Sequence, residues 1–202
     1  MKKIFAIFAL LCGVVCAQQD AFTDSRDGKK YKTVKIGNQV WMAENLSYNA
    51  KDSKCYNDER YKDSIANCEK HGRLYYWKIA RTACPKGWHL PTSKEWETLF
   101  SFLGGKKTIN EKSFKMYIGM EKIKSKDSFA ALLDGRFYID YHDGDEDVTY
   151  VDMGYTGCWF SASSGYLDGE LWWLDVEKSV DKMKLSFINE VTEGCSVRCV
   201  KD

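Results

Sequence analysis

The sequence predicts an α+β fold: a single disulfide-stapled domain of mostly antiparallel short strands, with one clear helix over residues 93–103. Three observations carry this. Helical patterns come early and strand patterns late, with no βαβ alternation. Tight-turn dipeptides separate runs that alternate apolar and polar. Six cysteines follow an N-terminal stretch that reads as an export signal.

The elements follow in chain order. Asp27-Gly28 and Gly37-Asn38 are hairpin-turn dipeptides. Tyr31 to Ile36 alternates between them, and Gln39 to Met42 alternates after them, so the chain opens as an antiparallel meander. Residues 49–63 are polar and read as a loop. Residues 64–70 read as a short helix ending near Gly72. Leu74 to Trp77 is strand-like, and residues 78–81 turn helical. After Pro91, Thr92 and Glu95 form a capping box, and Trp96, Leu99, Phe100 and Leu103 share one helix face. Gly104-Gly105 supplies the stop. Further strands are expected at 131–133, 137–139, 158–160, 171–174 and, last, 195–200.

Size and charge bound the function. A chain of 202 residues with 44% apolar content suits one domain with a real core. Aromatic content of 14% and only two prolines exclude a disordered or collagenous chain. The 30 basic residues nearly cancel the 29 acidic ones, which leaves no basic surplus for a phosphate backbone. Nucleic acid is therefore not an expected partner.

The N-terminus pairs Lys2 and Lys3 with an apolar run from Ile4 to Val15, too short to span a bilayer. A cut after Val15-Cys16-Ala17, with Val15 at −3 and Ala17 at −1, completes a signal peptide over residues 1–17, with residues 18–202 as the mature domain. A lipid anchor at Cys12 or Cys16 is disfavoured by the bulky Leu11 and Val15 before them. No later run approaches membrane length. The expected location is outside the cytoplasm: secreted, periplasmic or at the cell surface.

Export makes Cys55, Cys68, Cys84, Cys158, Cys195 and Cys199 a disulfide framework. Zinc competes poorly, because no C-x-x-C occurs and only three histidines remain to help. Sequence distance suggests Cys55–Cys68 as a local staple. Cys195 and Cys199 on one strand would share a face yet lie too far apart to bond each other. Each must reach Cys84 or Cys158.

Three blocks then stand out. The first runs from Asp27-Gly28 through Gln39-x-Trp41-Met42-Ala43-Glu44-Asn45-Leu46. The second is Gly72-Arg73-Leu74-Tyr75-x-Trp77, followed by Cys84-Pro85-x-Gly87-Trp88-His89-Leu90-Pro91-Thr92-x-x-Glu95-Trp96. The last is Ser196-Val197-Arg198-Cys199-Val200-Lys201-Asp202. From about residue 22 to the end, the chain resembles the major paralogous domain of Fibrobacter succinogenes, a family of exported bacterial proteins. The block around Trp88 is also similar to that of formylglycine-generating-enzyme folds and, more loosely, of C-type lectin-like domains. The lectin likeness implies a bond between Cys84 and Cys199, leaving Cys158 for Cys195. The family resemblance implies an exported binding or adhesion module of the cell surface, in contact with polysaccharide or another surface component.

Candidate sites are weighed against simpler roles. Cys84 and His89 have the residue types of a nucleophile and its base, but an oxidised cysteine cannot attack. Cys195 and Cys199 invite comparison with the copper-binding pair of a formylglycine-type oxidase, and a disulfide role is the expected one. Glu95 reads as a cap. The acidic run from Asp140 to Asp147 offers Asp143, Asp145 and Asp147 to calcium, but lacks the EF-hand glycine and reads first as a solvated loop. The sugar-binding tripeptides of lectins, with their central proline, are absent. Residues 137–173 are rich in aromatics. In a strand, Trp172 and Trp173 face opposite sides, so one is expected in the core and the other near the surface. Tyr155, Tyr166, Trp173 and Asp175 are the expected ligand-binding residues. No cofactor is expected, apart from the possible calcium, and the expected function is non-catalytic. The alternatives are a metal-assisted oxidase or a structural envelope protein without a small ligand.

Overall fold

Strands β1 (Gln19–Thr23), β2 (Lys30–Ile36) and β3 (Gln39–Met42) pair antiparallel as the expected meander. The second turn places Gly37 at φ 61°, where a Cβ would also meet the Phe102 ring at 2.9 Å. Tyr31, Val34 and Ile36 point inward from β2, and the lysines between them stay exposed. The structure is a computed structural model that describes residues 19–112, 114–126, 128–142, 145–164, 170–178, 182–189 and 192–202. The expected signal peptide, Asp143 and Tyr166 lie outside the described residues.

Helix α1 (Ser64–His71) starts at Asp63, whose carboxylate accepts from the Ala66 amide. Strand β4 (Leu74–Tyr76) runs directly into α2 (Trp77–Ala83). Strand β5 (Trp88–His89) precedes α3 (Ser93–Phe102). The Thr92–Glu95 capping box is present, and Leu103 is the C-cap. Trp96, Leu99 and Phe100 are fully buried, worth roughly 1.5–3 kcal/mol each.

The second half is a run of strands: β6 (Lys106–Asn110), β7 (Phe114–Ile118), β8 (Asp134–His142), β9 (Asp145–Met153), β10 (Thr156–Ser164), β11 (Glu170–Glu177), β12 (Lys182–Asn189), β13 (Glu193–Ser196) and β14 (Val200–Lys201). A 3-10 turn at Glu121–Lys124 separates β7 from β8. Among the described residues, one sheet has the order β1-β2-β3-β14-β5. The other has the order β4-β13-β8-β10-β11-β12-β7-β6, with β9 on β8. Pairing is antiparallel except where β10 meets β13 and β8. Among the described residues the fold is thus mostly β, with three α-helices and three disulfides.

The disulfides join Cys55 to Cys68, Cys84 to Cys199 and Cys158 to Cys195. The last two are the pairs that the lectin likeness implies.

Four expectations are corrected. Residues 131–133 form no strand, and β8 begins only at Asp134. The terminal strand is broken: β13 lies in one sheet and β14 in the other, so Cys195 and Cys199 do not share a strand. The crossing is held by backbone bonds from Leu46 to Val197 and from Met42 to Cys199. The described residues of the acidic run, 140–142 and 145–147, are strand and not loop. They belong to the antiparallel pair β8–β9, where Asp140 faces Asp147 and His142 faces Asp145. The alternation that includes Phe137 and Ile139 extends the strands through them. Finally, Trp172 and Trp173 are both buried, at 6% and 7% exposure. They enter separate core clusters, because β11 is covered on both faces.

Candidate functional site

The site is built on a buried polar network. Gly72 ends α1 at φ 85°, and a Cβ there would lie 2.7 Å from the Asn45 Cβ. Its absence lets the helix end settle against the segment after β3. His71 is thereby brought to the start of β8, with Nδ1 2.5 Å from Asp134 Oδ1. Asn45 donates through Nδ2 to Asp134 Oδ2 and, at 3.0 Å, to the His71 carbonyl. Its Oδ1 accepts from Trp159 Nε1 at 2.9 Å and from Arg198. The Arg198 side chain also donates to the Phe129 carbonyl and lies 4.3 Å from the Phe129 ring centre.

Electrostatics follow from burial. Burial raises the Asp134 carboxyl above its ordinary value, while hydrogen bonds from His71 and Asn45 and the charge of Arg198 oppose it. Burial pulls Arg198 down to about 10, against the attraction of Asp134, so it stays charged at neutral pH. With Asp134 as carboxylate, His71 Nδ1 must be the donor, and Nε2 is left as the free ring nitrogen. Among the described residues Nε2 has no hydrogen-bond partner.

His71 lines a cavity of about 340 Å³. Asn45 lines it too, with Lys29 from the β1–β2 turn, Glu44 from the segment after β3, and Glu69 and Lys70 from α1. Ala130, on the same wall, has φ 52°, a left-handed conformation that costs a non-glycine residue on the order of 1–3 kcal/mol. Strain, a concave surface and an oriented imidazole therefore coincide.

The residues expected to bind ligand lie elsewhere. Trp173 donates from Nε1 to Ser186 Oγ at 2.8 Å, and Arg136 lies 5.2 Å from its ring centre. It offers no open face. Arg136 also approaches Asp152 at 3.3 Å, Asp175 at 3.8 Å and Glu193 at 3.9 Å. Burial pushes Asp175 up to about 6 despite Arg136. Asp175 Oδ1 and Glu193 Oε2 are buried without a hydrogen-bond partner. Trp173 and Asp175 thus meet around Arg136. Tyr155, 60% exposed, sits at the β9–β10 turn, with the Lys178 ammonium 5.5 Å from its ring centre.

Asp145 and Asp147 are exposed on β9. Among the described residues, no group of three His, Cys, Asp or Glu side chains is placed to hold a metal ion. Cys84 is bonded to Cys199 and presents no thiol. His89 is clasped between Glu95 at 2.9 Å and Asp202 at 2.7 Å. Burial lowers its pKa, but these two carboxylates outweigh that and raise it.

Sequence reasoning missed His71 and Asp134, which look like an ordinary helix end and strand start. A signal existed for the rest. Asn45 and Arg198 both lie inside the blocks that carry the family resemblance, and no local pattern requires a polar residue at those places.

The profile of the Fibrobacter succinogenes major domain matches residues 34–201. No curated protein and no solved structure matches the chain. Since the match spans most of the sequence, the chain belongs to the Fibrobacter succinogenes major domain family.

Proposed function

We propose that this domain is an exported, non-catalytic binding or adhesion module of the bacterial cell surface, with its ligand seated in the His71 cavity. The carrying observation is the 2.5 Å bond between His71 and the buried Asp134, which orients an imidazole in a concave wall. A polar group prepared in advance spends less free energy on ordering when a ligand arrives. The cavity size falls within the range of small-molecule sites. The ligand is a small polar group or chain end of a surface component, polysaccharide included. Tyr155 remains an exposed aromatic for a second contact, whereas the buried Trp173 no longer serves as one.

Export is supported by the three disulfides. Among the described residues, no helix is long and apolar enough to cross a membrane. The lectin-like and formylglycine-generating-enzyme-like reading of the fold draws support from the bond between Cys84, ahead of α3, and Cys199 near the chain's end. The non-catalytic reading draws support from the same bonds, since all six cysteines among the described residues are paired. A titration finding two or more free thiols in the folded protein would revive the oxidase alternative.

The test is an NMR titration of the oxidised protein with a panel of glycans and small polar envelope components. Shifts at the His71 imidazole and the Asn45 side-chain amide are expected for at least one. The proposal fails if binders shift only signals far from the cavity, or if none binds.

A further inference from the structure

We infer that the ligand of the His71 cavity carries a carboxylate and an amine together, as an amino acid or the end of a short peptide does. This rests on the binding reading above and adds a charge pattern to it. The residues that line the cavity include two lysines, Lys29 and Lys70, and two glutamates, Glu44 and Glu69. Among the described residues, none of the four makes an ion pair. Each side brings one of each sign: Glu69 with Lys70 on α1, and Lys29 with Glu44 from the meander.

The floor differs from the rim. There Asp134 is already answered by His71 and by the charge of Arg198. The fold has compensated its buried charges, whereas among the described residues the rim's four charges form no ion pair: the Lys29 ammonium lies 5.5 Å from the Tyr31 ring centre, and Glu44 acts on Arg198 only through space. A cavity of about 340 Å³ has a breadth comparable to the screening length at physiological salt, about 8 Å, so charges around its rim act on one ligand with little screening between them.

Ligand classes then separate by charge. A simple anion gains from Lys29 and Lys70 and is opposed by Glu44 and Glu69. A simple amine meets the reverse. A neutral sugar leaves all four charges to water. A dipolar molecule satisfies both signs, and charge-assisted hydrogen bonds are stronger than neutral ones. The small neighbours Ala43, Gly72 and Ala130 leave room for such a molecule beside His71. Discrimination comes as much from the sign that repels as from the sign that attracts.

The test is calorimetric titration of the oxidised chain from Gln18 onward. The dipolar probes are alanine, γ-aminobutyrate and trialanine, and the controls are acetate, methylamine and methyl glucoside. At least one dipolar probe should bind tenfold or more tighter than acetate and methylamine, and weaken as sodium chloride rises. Lys70→Glu and Glu69→Lys should each weaken it at least fivefold. Both residues are exposed, and circular dichroism checks that the variants fold. Methyl glucoside binding as tightly, without salt dependence, overturns the charge pattern but leaves the cavity a binding site. Binding of a control alone, or of no probe, also overturns it. The broader NMR panel then decides separately whether the binding reading survives.

Discussion

The side-chain oxygen of Asn45 accepts from Nε of Arg198 at 2.9 Å and from its Nη2 at 2.5 Å, although the two residues lie 153 positions apart. This contact ties the meander to the chain's last crossing between sheets, directly beneath the cavity. Arg198 is wholly buried, and Asn45 is nearly so.

Asn45→Ala therefore leaves a buried guanidinium short of acceptors. Urea unfolding should show a loss of about 3–5 kcal/mol. The double variant with Arg198→Met should lose less than the two single losses combined, with a coupling of about 1–3 kcal/mol. Strict additivity would mean that the bond carries no energy of its own.

Trp173 is a core residue with a polar handle. Trp173→Phe should cost about 1–3 kcal/mol, through the Ser186 hydroxyl left without its donor. Trp173→Ala should cost about 3–5 kcal/mol. Thermal melting reads both. A Trp173→Ala protein with unchanged stability would place this ring at the surface instead.

The disulfides should differ in weight. Cys84–Cys199 spans 115 positions and Cys55–Cys68 spans 13. Loop-closure entropy assigns them about 5 and about 3 kcal/mol respectively. Replacing Cys84 and Cys199 by serine should lower the melting temperature more than replacing Cys55 and Cys68. The reverse order would show that native packing, and not chain entropy, sets their value.

Asp175 gives a pH signature. Its folded value is about 6 against 3.8 for the free side chain. Between these values the native state holds a proton that the unfolded state lacks. Stability from this group is therefore present below that window and lost as pH rises through it, on the order of 2–3 kcal/mol. Asp175→Asn removes the charge that burial penalises. Relative to wild type, the variant should gain stability from pH 4 to pH 8, as measured by urea unfolding at both. An equal difference at the two pH values would refute this.

Local chemistry determined what the chain shows of itself. Two glycine turns made the meander, and Thr92, Glu95 and a four-residue apolar face made α3, because each signal acts over a few residues. The number of cysteines and their expected oxidation were legible for a similar reason: covalent chemistry depends on residue type and compartment. Tertiary structure decided the rest. It buried Trp173 by covering both faces of β11, paired residues 140–142 with 145–147 as antiparallel strands, and split the final strand between two sheets. It also made the candidate site, since His71, Asp134, Asn45 and Arg198 come from four separate segments. Only burial distinguishes that group from ordinary surface polar residues, and burial is a property of how the segments pack.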